Sequence, residues 1–374
     1  MATSVEQVEN DDESSYDFDV HPITLSTFAV SSQQSLAASL VNSEISSRKV
    51  KHGVRSFLQK LFYPMKIPFD NQEMTSTNHE VLNMNYINET AYPIVSPLPV
   101  TQGPIRLFIL RHAERLDCYY SSQWVRQAFD KNDKFCRFSP ILPETIPSRA
   151  SICDFAVDPP LTLQGLKDAY HTGIILREKN IDIHYCYSSP SLRCIQTATK
   201  LLEGLHSHHK LKIRIEPGLF EYTTWYANDE TTDGFEMPRF LTKKELLENQ
   251  YSIDKNYHEQ MSISEISRSE SESDYYERSH RVTTAILKQH ENDLITQIQQ
   301  GQTSTQDHLH VLFIAHAPTL ETCTRKLCGG KFRSDRLSSI CRHIDFLSMT
   351  VIEKKDNNCD RWMFRRSSIF KENT

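Results

Sequence analysis

Three apolar stretches of this chain each run into residues suited to holding an anion. RLFIL (106–110) leads into Arg111, His112, Ala113, Glu114 and Arg115. HYCYS (184–188) leads into Ser189, Pro190, Ser191, Leu192 and Arg193, and HLHVLFIA (308–315) leads into His316 and Ala317. Arginine presents planar, bidentate donors to phosphoryl oxygens. A histidine among arginines is held neutral by like charge, which leaves a ring nitrogen free to attack phosphorus. Phosphoryl transfer demands mainly positioning and charge neutralisation, and such a cluster supplies both without a metal ion. A departing alkoxide also needs a proton, and Glu221 in the run GLFEYTTW is the carboxylic acid best placed to give it. Taken singly, each residue has an ordinary reading: a histidine after a strand is structural, an arginine at a helix start is solvated. Packing does not explain five of them converging on one edge, because like charges repel unless an anion lies among them.

The elements that would position these residues alternate in type. RLFIL reads as a strand and 161–179 as a helix begun near Thr162. HYCYS reads as a second strand, 189–205 as a helix with Pro190 in its first turn, and 212–219 as a third strand. A long helix is expected over 282–300, followed by a fourth strand, 308–316, whose nearly continuous apolar run marks it as central. MTVIEKK and RWMFRR near the C-terminus pair as an edge hairpin. This alternation predicts an α/β domain with a mostly parallel sheet, in which ligands bind beyond the carboxyl ends of the strands. The polar stretch 227–280 reads as an excursion from the sheet, part helix and part loop.

Composition removes several alternatives. The chain has 374 residues, ten of them glycine, with no G-x-G-x-x-G or G-x-x-x-x-G-K arrangement, so neither a dinucleotide fingerprint nor a Walker loop is present. A net charge of −6 offers no footprint for nucleic acid. No apolar run reaches the roughly 18 residues of a membrane span. The nine cysteines are scattered without metal-site spacing and read as reduced thiols of a cytoplasmic protein, with no metal and no cofactor expected. Residues 1–100 are acidic and polar and read as largely disordered. Within them, 48–66 forms a basic amphipathic segment suited to an anionic membrane or a partner, and equally to packing on the domain. The Pro-rich run 92–104 reads as a linker.

The blocks Leu110-Arg-His-Ala-Glu-Arg115, Leu161-Thr-Leu-Gln-Gly165, Ser188 to Ala198 (SSPSLRCIQTA) and Ile314-Ala-His316 resemble the motifs of the histidine phosphatase (phosphoglycerate mutase-like) superfamily. LRHAERLD, IEPGLFEYTTWY, DYYERS and AHAPTLETCTRKL narrow the likeness. They resemble the phosphatase domain of the ubiquitin-associated and SH3 domain-containing proteins and of insect ecdysteroid-phosphate phosphatases. The resemblance spans roughly 104–355 and implies a three-layer sandwich over 104–370. It also implies a phosphohistidine formed on His112, with Arg111, Arg115 and Arg193 on the phosphoryl oxygens. His316 would complete the pocket, Glu221 would act as acid and then base, and the domain would form a homodimer.

The sequence departs from that pattern at Ala113, where family members carry glycine, and it shows no upstream ubiquitin-binding or SH3 module. A mutase is disfavoured because Arg115 replaces the expected serine, and the acid-phosphatase branch because Ala317 replaces aspartate. Two functions remain in view. One is a metal-independent phosphomonoesterase acting on phosphotyrosine, aryl or small hydrophobic alcohol phosphates. The other is a catalytically weak phosphate-binding scaffold. The rim of the pocket is expected to draw on Tyr119, Tyr120, Trp124, Phe129, Tyr222 and Trp225.

Overall fold

The computed structural model describes residues 105–227, 237–300, 308–354 and 362–365. The basic segment at 48–66 and the linker at 92–104 lie outside these residues. Six strands form one sheet: β1 (Ile105–Arg111), β2 (Tyr185–Ser188), β3 (Ile213–Ile215), β4 (Leu309–Ala315), β5 (Met349–Lys354) and β6 (Trp362–Phe364). Their order is β3-β2-β4-β1-β5-β6, so the two long apolar strands sit at the centre as their composition requires. β3, β2, β4 and β1 are parallel, and β5 joins β1 antiparallel with β6 beyond it.

Alternation along the central strands feeds two cores. Phe108, Leu110, Leu312 and Ile314 face one side, while Leu107, Ile109, Val311 and Phe313 face the other. The first side is covered by helices α1 (Leu163–Glu178) and α2 (Leu192–Gly204), through Ala169, Leu176, Ile195, Ala198 and Leu201. The second is covered by α3 (Glu272–Gln299), through Tyr275, Tyr276, Val282, Ile286 and Leu287. The expected three-layer α/β sandwich is therefore the observed one.

Local chemistry sets the helix starts. The Thr162 hydroxyl caps α1 by accepting from the Gly165 N–H at 2.8 Å. α3 begins ten residues before the expected 282, because Ser271 and Asp274 cap each other reciprocally: Ser271 N donates to Asp274 Oδ2 at 2.9 Å and Asp274 N to Ser271 Oγ at 3.1 Å. The DYYERS run is thus the first part of a helix with one buried face. The described residues at 237–270 are also drawn into the body. Ile253 bridges to Ile213 beside β3, and Leu241, Leu246, Tyr257 and Met261 join the cores. The third strand is shorter than expected, since Pro217 starts a tight turn at Pro217–Leu219.

α1 and α2 approach until their backbones touch at Gly173, where a Cβ would overlap the Leu201 carbonyl oxygen. Gly173→Ala should therefore lower stability by about 1–3 kcal/mol in denaturant titrations, the usual cost of overpacking a tight contact. An unchanged midpoint would show that the two helices separate freely.

Candidate active site

The sheet delivers the site residues to one edge. Arg111 is paired with Ala315 in the β1–β4 ladder, so His112 and His316 follow side by side, and their rings meet edge to face with centroids 5.5 Å apart. The His112 N–H donates to Ala315 O at 2.9 Å, which locks the two strand ends together. β2 ends next to β4 and places Ser189 and Arg193, while the turn after β3 brings up Glu221. All six residues expected from the sequence thus converge.

The hydrogen bonds of the two histidines fix their tautomers. His112 is 1% exposed, and its Nδ1 lies 2.8 Å from Ala113 O. A carbonyl only accepts, so Nδ1 carries the proton and Nε2 keeps its lone pair. The opposite tautomer holds at His316: the Arg193 Nη2 group meets Nδ1 at 3.2 Å and can only donate, so Nε2 bears the proton and donates to Ser189 Oγ at 2.9 Å. Both nitrogens of His316 are thus engaged by protein, and the ring holds Arg193 before it holds any ligand. Burial, reinforced by Arg193, drives both histidines well below their ordinary range, so each is neutral near pH 7.

The three arginines are balanced unequally. Arg193 is 1% exposed and donates through Nη2 to Glu221 Oε2 at 2.8 Å and to the Tyr226 hydroxyl at 3.0 Å. Its Nη1 lies 3.8 Å from Asp158. Arg115 pairs with Asp117 at 3.0 Å. Among the described residues no carboxylate pairs with Arg111. Its Nη1 donates to Ile344 O, its guanidinium stacks 4.1 Å over the Phe346 ring, and its Nε has no protein partner. Burial lowers Arg111 to about 10, so it remains a cation at neutral pH, desolvated and short of an anion.

Glu221 is held by one oxygen. Tyr226 donates to Oε2 at 2.8 Å, where Arg193 also bonds, while Oε1 lies 3.8 Å from His316 Nδ1. Sequence reasoning missed Tyr226, although it lies five residues past Glu221 in the same aromatic run. It also missed Asp158, which precedes Pro159-Pro160. Asp158 accepts from Arg149 Nη2 at 3.0 Å and from the Leu192 N–H at 2.9 Å. The first N–H of α2 is therefore taken by a carboxylate. Thr197 was missed as well, and accepts from the Ala113 N–H at 3.0 Å. Ala113 is not among the residues with positive φ, and its methyl lies in the core, so replacing glycine there imposes no backbone strain.

Two of the six expected rim aromatics, Trp124 and Tyr222, are core instead. Trp124 is fully buried and packs with Phe129 and Phe155, and Tyr222 packs against Tyr275. Their rings gain more from one another than from a wet rim. The eight described cysteines are free thiols, and among the described residues no group of three or more His, Cys, Asp or Glu is arranged to hold a metal.

A sandwich whose parallel strands deliver two neutral histidines and three arginines to one edge defines a class of phosphoryl-handling α/β proteins. The chain belongs to the histidine phosphatase superfamily (branch 1), whose profile matches residues 144–360. It is 34% identical over 255 residues to an ecdysteroid-phosphate phosphatase of Drosophila melanogaster, covering 67% of this chain and 31% of that protein. It is 36% identical over 266 residues to ubiquitin-associated and SH3 domain-containing protein B of Mus musculus, covering 70% and 39%. The chain thus spans about a third of the length of these relatives. In structure it resembles the ecdysone phosphate phosphatase of Bombyx mori solved with tungstate. The TM-score is 0.54 at 24% identity, covering 72% of this chain and 95% of that one. No described helix is long and apolar enough to cross a membrane.

The buried neutral histidines make stability depend on pH. Their folded-state values are depressed, so the unfolded chain binds protons that the folded chain refuses, and stability is lost as pH falls below about 6.5. Two such groups contribute a slope of up to about 2.7 kcal/mol per pH unit. Denaturant titrations at pH 7 and pH 5 should show a flatter dependence in a His112→Asn/His316→Asn double variant. An identical slope would place the acid sensitivity elsewhere, for instance at His290 and His310, which burial pushes to about 3 and about 4.

Proposed function

We propose that this protein is a phosphomonoesterase that works through a phosphohistidine on His112. One observation carries the reading: the Nδ1 bond to Ala113 O leaves His112 Nε2 as a lone-pair donor beside Arg111, a buried cation with no carboxylate partner. Nε2 attacks phosphorus in line with the ester oxygen, forming the N–P bond as the P–O bond breaks. Arg111, Arg115 and Arg193 neutralise the equatorial oxygens. Glu221 in its acid form gives a proton to the departing oxygen through Oε1, while Arg193 and Tyr226 hold Oε2. Water then attacks the phosphohistidine and gives its proton to the Glu221 carboxylate, and orthophosphate leaves with His112 restored. The likeness to ecdysteroid-phosphate phosphatases supports this reading and, with the burial of the site residues, favours esters of apolar alcohols over those of sugars.

Hydrolysis of p-nitrophenyl phosphate should fall on the order of 10³-fold or more in His112→Ala, and turnover equal to the wild type would remove His112 as nucleophile. Activity should persist in EDTA, because the described arginines supply the neutralising charge. A strict Mg²⁺ requirement would contradict that chemistry. Glu221→Gln should slow alkyl phosphates by about 10²-fold or more while slowing p-nitrophenyl phosphate less, since nitrophenoxide departs with little help. Equal losses on both would take the proton-transfer role from Glu221.

A further inference from the structure

The return segment after the last site residue bears on which esters the pocket takes. Arg111 is tied to it twice, through its backbone N–H to Ser348 O at 2.9 Å and through its guanidinium to Ile344 O. Between these two anchors lie Phe346 and Leu347. Leu347 is buried and sits at a φ of 60°, a left-handed conformation that a leucine adopts only when its surroundings impose it. The consequence is a fixed Phe346 ring. It covers the Arg111 guanidinium at 4.1 Å and lies 5.7 Å from the His112 ring, tilted by 44°.

Phe346 differs in exposure from the groups it touches. Arg111 and His112 are buried, whereas Phe346 is only partly buried and belongs to neither core. It therefore forms the layer between the reacting groups and solvent on that side. Among the described residues, the only rings packed against His112 are His316 and Phe346. His316 is committed to Arg193 and Ser189, which leaves Phe346 as the apolar ring against His112.

We propose that Phe346 is a specificity-determining residue of this pocket: its exposed face packs against the alcohol portion of the substrate and selects flat aryl or fused-ring apolar groups over polyols. A polyol there would leave hydroxyls facing a ring that cannot hydrogen-bond them, whereas a flat apolar group gains both buried area and ring stacking. The same ring fixes Arg111, so the apolar group and the phosphoryl oxygens are gripped by two faces of one stack.

The proposal deepens the phosphatase reading, but its binding half is independent of turnover. Calorimetry with methyl-, phenyl- and 1-naphthylphosphonate should show tighter binding of the aryl ligands to the wild type. Phe346→Ala should lose roughly tenfold of that aryl-over-methyl preference, over and above the weakening it shares with inorganic phosphate through the loosened Arg111. Phe346→Trp should retain the preference. In hydrolysis, kcat/KM for 1-naphthyl phosphate relative to glycerol 2-phosphate should shift by a similar factor, chiefly through KM. A preference unchanged in Phe346→Ala would overturn the proposal. So would an equal weakening of every ligand including inorganic phosphate, which would reduce the ring to a support for Arg111. If aryl preference follows Phe346 but 1-naphthyl phosphate turns over no faster than in His112→Ala, the specificity assignment stands and the phosphatase reading falls.

Discussion

Gathering several cations in a space from which water is excluded is the central constraint on this molecule. Two guanidinium groups roughly 5 Å apart repel by about 3 kcal/mol at an effective dielectric of about 20, before any desolvation is counted. The fold answers with carboxylates set behind the arginines. Glu221 and Asp158 stand against Arg193, Asp117 against Arg115, and Asp158 also against Arg149. Two of them are fixed by further donors, Glu221 by Tyr226 and Asp158 by the Leu192 N–H. Removing one partner of such a buried pair typically costs about 3–5 kcal/mol, so the folded body and the site are held by the same bonds.

The balance is deliberately incomplete at Arg111. Its charge is spread over a π face and a carbonyl rather than met by a carboxylate. Burial makes that arrangement costly, and an incoming phosphoryl dianion relieves the cost. The two histidines stay neutral in the same field, which leaves one with an unprotonated ring nitrogen and the other as a mount for Arg193. Their opposite tautomers follow from their partners, a carbonyl in one case and a guanidinium in the other.

Much of this was legible in the sequence where chemistry continues directly from an apolar run. Arg111, His112, His316 and Arg193 follow strands whose composition announces them, and a parallel sheet must bring such ends together. Glu221 came from its place after the third strand. Tyr226, Asp158 and Phe346 were not legible, because each reaches the site from a loop or single turn without periodicity. Trp124 and Tyr222 left the expected rim for a related reason: composition shows that they are aromatic, not whether they face other rings or a ligand. The early start of α3 was written in Ser271 and Asp274, a capping pair hidden in a run whose polarity suggested a loop.

β5 changes what counts as the extent of this site. The last of the six expected residues is His316, yet the segment leading into β5 supplies the carbonyls that hold Arg111 and the ring that covers it. The parallel core makes the ends of the strands, and the single antiparallel reversal closes them into a pocket. A fragment ending shortly after His316 would keep every residue of the motif and lose the enclosure that makes them reactive. The enclosure extends some thirty residues beyond the last of the six expected residues, in a stretch outside the short motif blocks.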